Sequence, residues 1–135
     1  MAEDLLNWFR ASYEQGSAAF NDGDLQTALG WLPEELEWHA VSADPEQQLL
    51  RGPAEVIRWF EEFRSVFDDW RIEPLGFEQP ADGAVLVDHV IRGTSRAARV
   101  PVEVRTYELW EFDGTRPVRV RQFFSREEAL AAASA

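Results

Sequence analysis

The chain contains no cysteine. Disulfide staples, thiolate nucleophiles and Cys-ligated zinc are thereby excluded. It also lacks lysine: all thirteen basic residues are arginine. Arg codons can carry GC where Lys codons lean towards AT, and no functional reading rests on the bias. No apolar run approaches the ~20 residues of a membrane span. The opening, MAEDLLNWFR, is acidic and amphipathic and lacks the basic start and apolar run of a secretion signal. The expected address is the cytoplasm. No Gly-rich phosphate loop, nucleophile elbow or Ser-His-Asp order can be placed, and Gly93-Thr94-Ser95 reads as hairpin chemistry. Internal repeats and low-complexity linkers are absent too, so residues 1–135 are expected to form one domain.

What is present is apolar and aromatic. Hydrophobic residues make up 45% of the 135, with six Trp and nine Phe among them. That supports a real core without disulfides or metals. The formal net charge of −12 favours solubility and repels nucleic acid, so RNA and DNA are not expected partners.

Periodicity gives the order of elements. Leu5, Phe9, Ser12/Tyr13, Gly16 and Phe20 recur at helical spacing, and this helix ends near Asn21–Gly23. Asp24 is placed to cap a short second helix through Trp31, which Pro33 stops. Glu35–Val41 then alternates as a strand, with Leu36, Trp38 and Ala40 on one face and Glu37, His39 and Val41 on the other. Ser42–Leu50 reads as a polar loop. Gly52 and Pro53 open a third helix whose apolar stripe holds Val56, Trp59/Phe60, Phe63 and Val66/Phe67. From Trp70 the period becomes two. Trp70–Gln79, Ala84–Thr94, Val100–Phe112 and Val118–Phe124 read as strands, with Asp82-Gly83 and Asp113-Gly114 as tight turns. Ser125-Arg126-Glu127-Glu128 is a capping box for a terminal helix. The order α-α-β-α-β-β-β-β predicts an α+β fold.

This order resembles the nuclear transport factor 2-like superfamily, closest to its SnoaL-like polyketide cyclase and ketosteroid isomerase branch. The residues that carry the likeness are Asn21-x-Gly23-Asp24-Leu25, Leu36-Glu37-Trp38, Arg51-Gly52-Pro53-Ala54 and Trp110-x-Phe112-Asp113-Gly114. The resemblance spans nearly the whole chain. It implies a cone-shaped α+β barrel, with a curved, mostly antiparallel sheet wrapped over about three helices around an apolar pocket. It also implies dimers paired through the outer sheet face. Laid on this chain, the isomerase's general base falls on Trp38, which takes no proton from carbon. Its oxyanion-hole tyrosine falls near Gly16, which has no hydroxyl. Its neutral carboxylic acid falls on Glu108. Steroid isomerisation by that mechanism is therefore not expected.

Two ionisable residues interrupt apolar strand faces. Glu108 sits between Thr106 and Trp110 on the face that also carries Val102, Val104 and Phe112. Burial there disfavours the charged form and makes Glu108 a candidate proton donor. A register slip or an arginine partner would instead leave it structural. His89 shares a face with Val85, Val87 and Ile91. It is either a satisfied core histidine or the acid–base partner of Glu108, one or two rungs away on the neighbouring strand. His39 should point to the opposite face from Trp38. Trp38, Trp59, Phe63, Trp70, Val87, Trp110 and Phe123 are the candidate pocket liners, and Arg51 lies near the expected mouth. Asp88, Arg92, Arg105, Arg119 and Arg121 are assigned to a charged outer face. The two histidines have no metal-ligand spacing, and neither a metal nor any cofactor is expected.

Three functions fit these residues. One is a cofactor-free isomerase, cyclase or dehydratase that moves protons on a small hydrophobic molecule with Glu108 and His89. Another is a non-catalytic pocket for such a ligand. The third is a homodimeric assembly domain whose sheet face does the work.

Overall fold

A computed structural model describes residues 2–41 and 48–134 of the chain. The helices are α1 (Ala2–Asn21), α2 (Leu25–Leu29), α3 (Gly52–Arg64) and α4 (Arg126–Ser134). The strands are β1 (Glu37–Ala40), β2 (Gln48–Arg51), β3 (Phe67–Ala81), β4 (Ala84–Ser95), β5 (Pro101–Asp113) and β6 (Arg116–Phe123). They form one curved, unclosed sheet in the order β2-β1-β6-β5-β4-β3. Among the described residues, only β1 and β6 pair in parallel. This is the α+β cone expected from the sequence.

Local chemistry explains the boundaries. α1 stops where Gly23 turns with φ +87°. Asp24 then caps α2, accepting from the Thr27 amide at 3.1 Å and the Thr27 hydroxyl at 2.6 Å. Pro53 opens α3 in its first turn, where a missing N–H costs nothing. β3 carries register shifts at three places, and these irregularities let a fifteen-residue strand bend. It is an edge strand, which is where Pro74 is tolerated.

The sequence reading needs three corrections. The polar segment Ser42–Leu50 is not all loop: Gln48–Leu50 belong to β2, paired antiparallel with β1, while residues 42–47 lie outside the described residues. Only Leu50 of β2 is buried, so that strand showed no alternation to read. β3 begins at Phe67 rather than Trp70, because Val66 and Phe67 continue the helical stripe in sequence. α2 ends at Leu29, two residues before Trp31.

The helices α1, α2 and α3 cover the concave side of the sheet. Phe9, Phe20, Leu29, Val56 and Phe60 meet Trp38, Val85, Trp110 and Val120 there. Each large side chain so buried stabilises the fold by roughly 1.5–3 kcal/mol. A second, smaller cluster lies on the convex side, where Ala129 of α4 packs on Ala84, Leu86 and Leu109. Ion pairs lie on the same face. Arg105 engages Asp88 through two hydrogen bonds, one of them 2.9 Å, and Arg119 holds Glu111 at 2.7 Å.

Candidate functional site

The concave face carries a polar network in an apolar setting, and strand register builds it. His89 on β4 lies directly opposite Thr106 on β5, and Glu108 follows one same-face step along β5. Glu108 in turn lies opposite Gln122 on β6. All four side chains are at least 95% buried. Cross-strand neighbours therefore meet as hydrogen-bond pairs. The Thr106 hydroxyl is 2.7 Å from His89 Nε2, and Gln122 Nε2 donates to Glu108 Oε2 at 2.9 Å. From two residues along β5, the Trp110 indole N–H donates to Glu108 Oε1 at 3.0 Å.

Tyr13 closes the network from α1. Its hydroxyl lies 3.0 Å from His89 Nδ1 and donates to Glu108 Oε1 at 3.0 Å. Burial pushes the Tyr13 phenol well above its ordinary value of 10.0, and the charge and hydrogen bond of Glu108 push it the same way. Tyr13 therefore stays a neutral phenol across the physiological range.

The donor inventory fixes how Glu108 takes part. Indole and amide N–H groups only donate. The Gln122 amide is oriented by the Val41 N–H, which donates to Gln122 Oε1 at 3.2 Å. Each oxygen of Glu108 thus faces a group that can only donate. With Tyr13 donating as well, Glu108 accepts three hydrogen bonds. His89 Nδ1 then supplies a proton to the Tyr13 oxygen, and Nδ1 also stands 3.9 Å from Glu108 Oε2.

These groups border a cavity of about 50 Å³. Its other walls are mainly apolar, formed by Phe9, Phe20, Trp31, Trp38, Phe60 and Ile91 among others, with Ser12 and Ser17 beside them. That volume holds a few waters and falls below what a drug-sized ligand needs. Trp31 stands at the opening. It is 44% exposed, lies 6.2 Å from Trp110 with the rings 5° from parallel, and bonds Ala28 O through its N–H at 3.1 Å. On its other side lies a surface groove of about 210 Å³ between α1 and α2.

The candidate residues divide accordingly. Glu108, His89, Trp38 and Trp110 come together at the cavity. Val87 is buried in the same core but does not border the cavity. Trp59, Phe63 and Trp70 belong to the same core but do not border the cavity; Trp59 and Phe63 stack at 5.2 Å and Phe63 is edge-on to Trp70 at 5.0 Å. Phe123 packs on the convex side with α4. Arg51 is exposed and pairs with Glu37 at 3.3 Å. His39 faces away from Trp38 and lies 3.4 Å from Glu37. Among the described residues, no three His, Asp or Glu side chains converge as metal ligands.

Sequence reasoning missed Tyr13, Ser17 and Trp31. The hydroxyl sought near Gly16 comes from Tyr13, one helical turn earlier. The available signal was its place in the stripe between Phe9 and Gly16, where its hydroxyl points at the sheet.

The profile of the SnoaL-like domain family matches residues 10–120. No curated protein matches the chain by sequence. Solved structures match over most of their length. A nuclear transport factor 2-like protein from Burkholderia thailandensis superposes with a TM-score of 0.71 at 20% identity, covering 93% of this chain and 95% of that one. A ketosteroid isomerase-like protein from Catenulispora acidiphila, in complex with trimethylamine, gives 0.68 at 14% identity over 87% and 88%. TerC co-crystallised with polyporic acid gives 0.67 at 16% identity over 90% and 96%. At these identities the likeness is one of fold.

Proposed function

We propose that this chain, which belongs to the SnoaL-like domain family, binds a small hydrophobic molecule against Trp110 and Trp38 and moves protons on it without a cofactor. The observation that carries the reading is the buried His89–Tyr13–Glu108 chain at the edge of a largely apolar cavity. Its members are spaced for proton exchange. With His89 protonated and Glu108 ionised, Nδ1–H donates to Tyr13 and Tyr13 donates to Glu108. Two hops through the phenol oxygen turn this into neutral His89 and protonated Glu108, with no net proton gained or lost. A site with both forms accessible can take a proton at one atom of a ligand and return it at another. Isomerisation, cyclisation and dehydration need no more than that. Two of the structural neighbours hold small molecules, trimethylamine in one and polyporic acid in the other, which supports a ligand pocket without naming the ligand.

A non-catalytic or assembly role is favoured by a different observation. The cavity is narrow while Trp31 covers it, and the convex face offers paired charges suited to a polar homodimer contact.

Glu108→Gln separates the readings once a ligand is found by thermal-shift or native mass-spectrometric screening of lipophilic metabolites. Turnover should be abolished while ligand affinity changes little. Full turnover would remove Glu108 from the chemistry. Stability should fall by about 1–3 kcal/mol, because the new amide sets N–H against the donors of Gln122 or Trp110. Turnover is therefore read at a temperature where the variant is folded.

A further inference from the structure

Trp38 carries a polar atom that the network does not use. The side chain is 1% exposed and borders the cavity, yet its indole N–H has no hydrogen-bond acceptor among the described residues. The contrast with Trp31 and Trp110 is direct: both of those indoles border the same cavity, and both donate to protein oxygens. A buried donor left without an acceptor is costly. Its neighbours are aromatic, Trp110 at 5.5 Å and Phe60 at 5.7 Å, each edge-to-face.

We infer that the Trp38 N–H is the donor that receives an acceptor oxygen of the bound molecule. The inference rests on the pocket reading above. It reverses the polarity that the family resemblance implied. There, position 38 would hold the base and position 108 a neutral acid that donates. Here position 38 can only donate, and Glu108 is held by three donors as an acceptor. The ligand oxygen therefore sits on the β1 side, and the proton-accepting groups lie across the cavity on β4 and β5. The ligand is not an anion. Among the described residues no arginine borders the cavity, and the donors nearest Glu108 are already taken by its own carboxyl oxygens. A flat apolar body, stacked on Trp110 where Trp31 now lies, would extend into the outer groove.

The test uses the full chain with cyclohexanone, its oxygen-free analogue methylenecyclohexane, and cyclohexanecarboxylate, followed by ¹⁵N-edited NMR of the six indole N–H signals. Trp38→Phe assigns the Trp38 signal. The ketone should move that signal downfield and bind about five- to tenfold more tightly than the hydrocarbon, as one net hydrogen bond provides. In Trp38→Phe the two should bind alike, and the carboxylate should bind weakest to both proteins. Equal binding of ketone and hydrocarbon to the wild type overturns the role of Trp38 and leaves the pocket standing. So does a Trp38 signal unmoved by bound ketone, which would assign that N–H to a ring face. Failure of all three probes to bind overturns both readings. The wild-type shift decides the matter even if Trp38→Phe does not fold.

Discussion

Tyr13 makes the network more than a buried ion pair. Without its hydroxyl, His89 Nδ1 and Glu108 Oε2 stand 3.9 Å apart with no hydrogen bond between them. Tyr13→Phe keeps the ring that packs edge-on to Phe9 and Phe77 and removes only the bridge. Turnover should fall by about 10²–10⁴ with KM nearly constant, since the proton path is cut while the walls remain. The same residue sets a limit at high pH. Its phenol is held above the ordinary 10.0 by burial and by Glu108, so the folded chain keeps a proton that the unfolded chain gives up. Stability is then lost as pH rises past that value. A urea series from pH 8 to 11 should show the wild-type midpoint falling more steeply than that of Tyr13→Phe. Parallel curves would show that Tyr13 is not desolvated.

At the scale of elements, the joint between β2 and α3 is the most constrained. Gly52 turns there with φ +74°, and its N–H donates to Leu36 O at 3.0 Å. A Cβ at this position would lie 2.9 Å from the backbone oxygen of Glu34. Gly52→Ala should cost about 1–3 kcal/mol from the left-handed conformation, with the backbone clash added to it. Gly76 on edge strand β3 meets nothing within 4 Å of its added Cβ, so Gly76→Ala should be near neutral. Thermal midpoints of the two variants make the comparison. These elements also show what the sequence made legible. The long strands announced themselves because β4 and β5 alternate cleanly, and that alternation placed His89 and Glu108 on one face. β2 did not, because a four-residue edge strand with one buried residue has no period. The Tyr13 bridge was not legible either. A helix stripe fixes which way a side chain points, but not which sheet residue it reaches. Trp59, Phe63 and Phe123 have the same apolar signature as Trp110. Only the packing of α3 and α4 removes them from the cavity.

At the scale of the whole molecule, two electrostatic effects oppose each other on acidification. A net charge of −12 with a pI near 4.5 means that lowering the pH first relieves repulsion among surface carboxylates. Glu111 works the other way. Burial pushes its carboxyl up, but Arg119 and Arg121 together outweigh that and hold it below the ordinary 4.5. A lowered carboxyl contributes stability above that ordinary value, and loses it as the pH falls through the lowered one. Glu111 also ties distant parts of the chain together. Arg119 and Arg121 come from β6, and Arg121 Nη2 reaches Ala132 O on α4 at 3.4 Å. In Glu111→Gln the arginines keep their places with weaker partners. The expected loss near pH 7 is about 1 kcal/mol or less, since the groups remain partly in water. The difference in thermal midpoint between wild type and Glu111→Gln should be largest above pH 5 and shrink as the pH drops below 4. That difference cancels the repulsion common to both proteins and isolates the paired carboxylate. A gap that stays constant down to pH 3 would mean that Glu111 acts through packing and not through its charge.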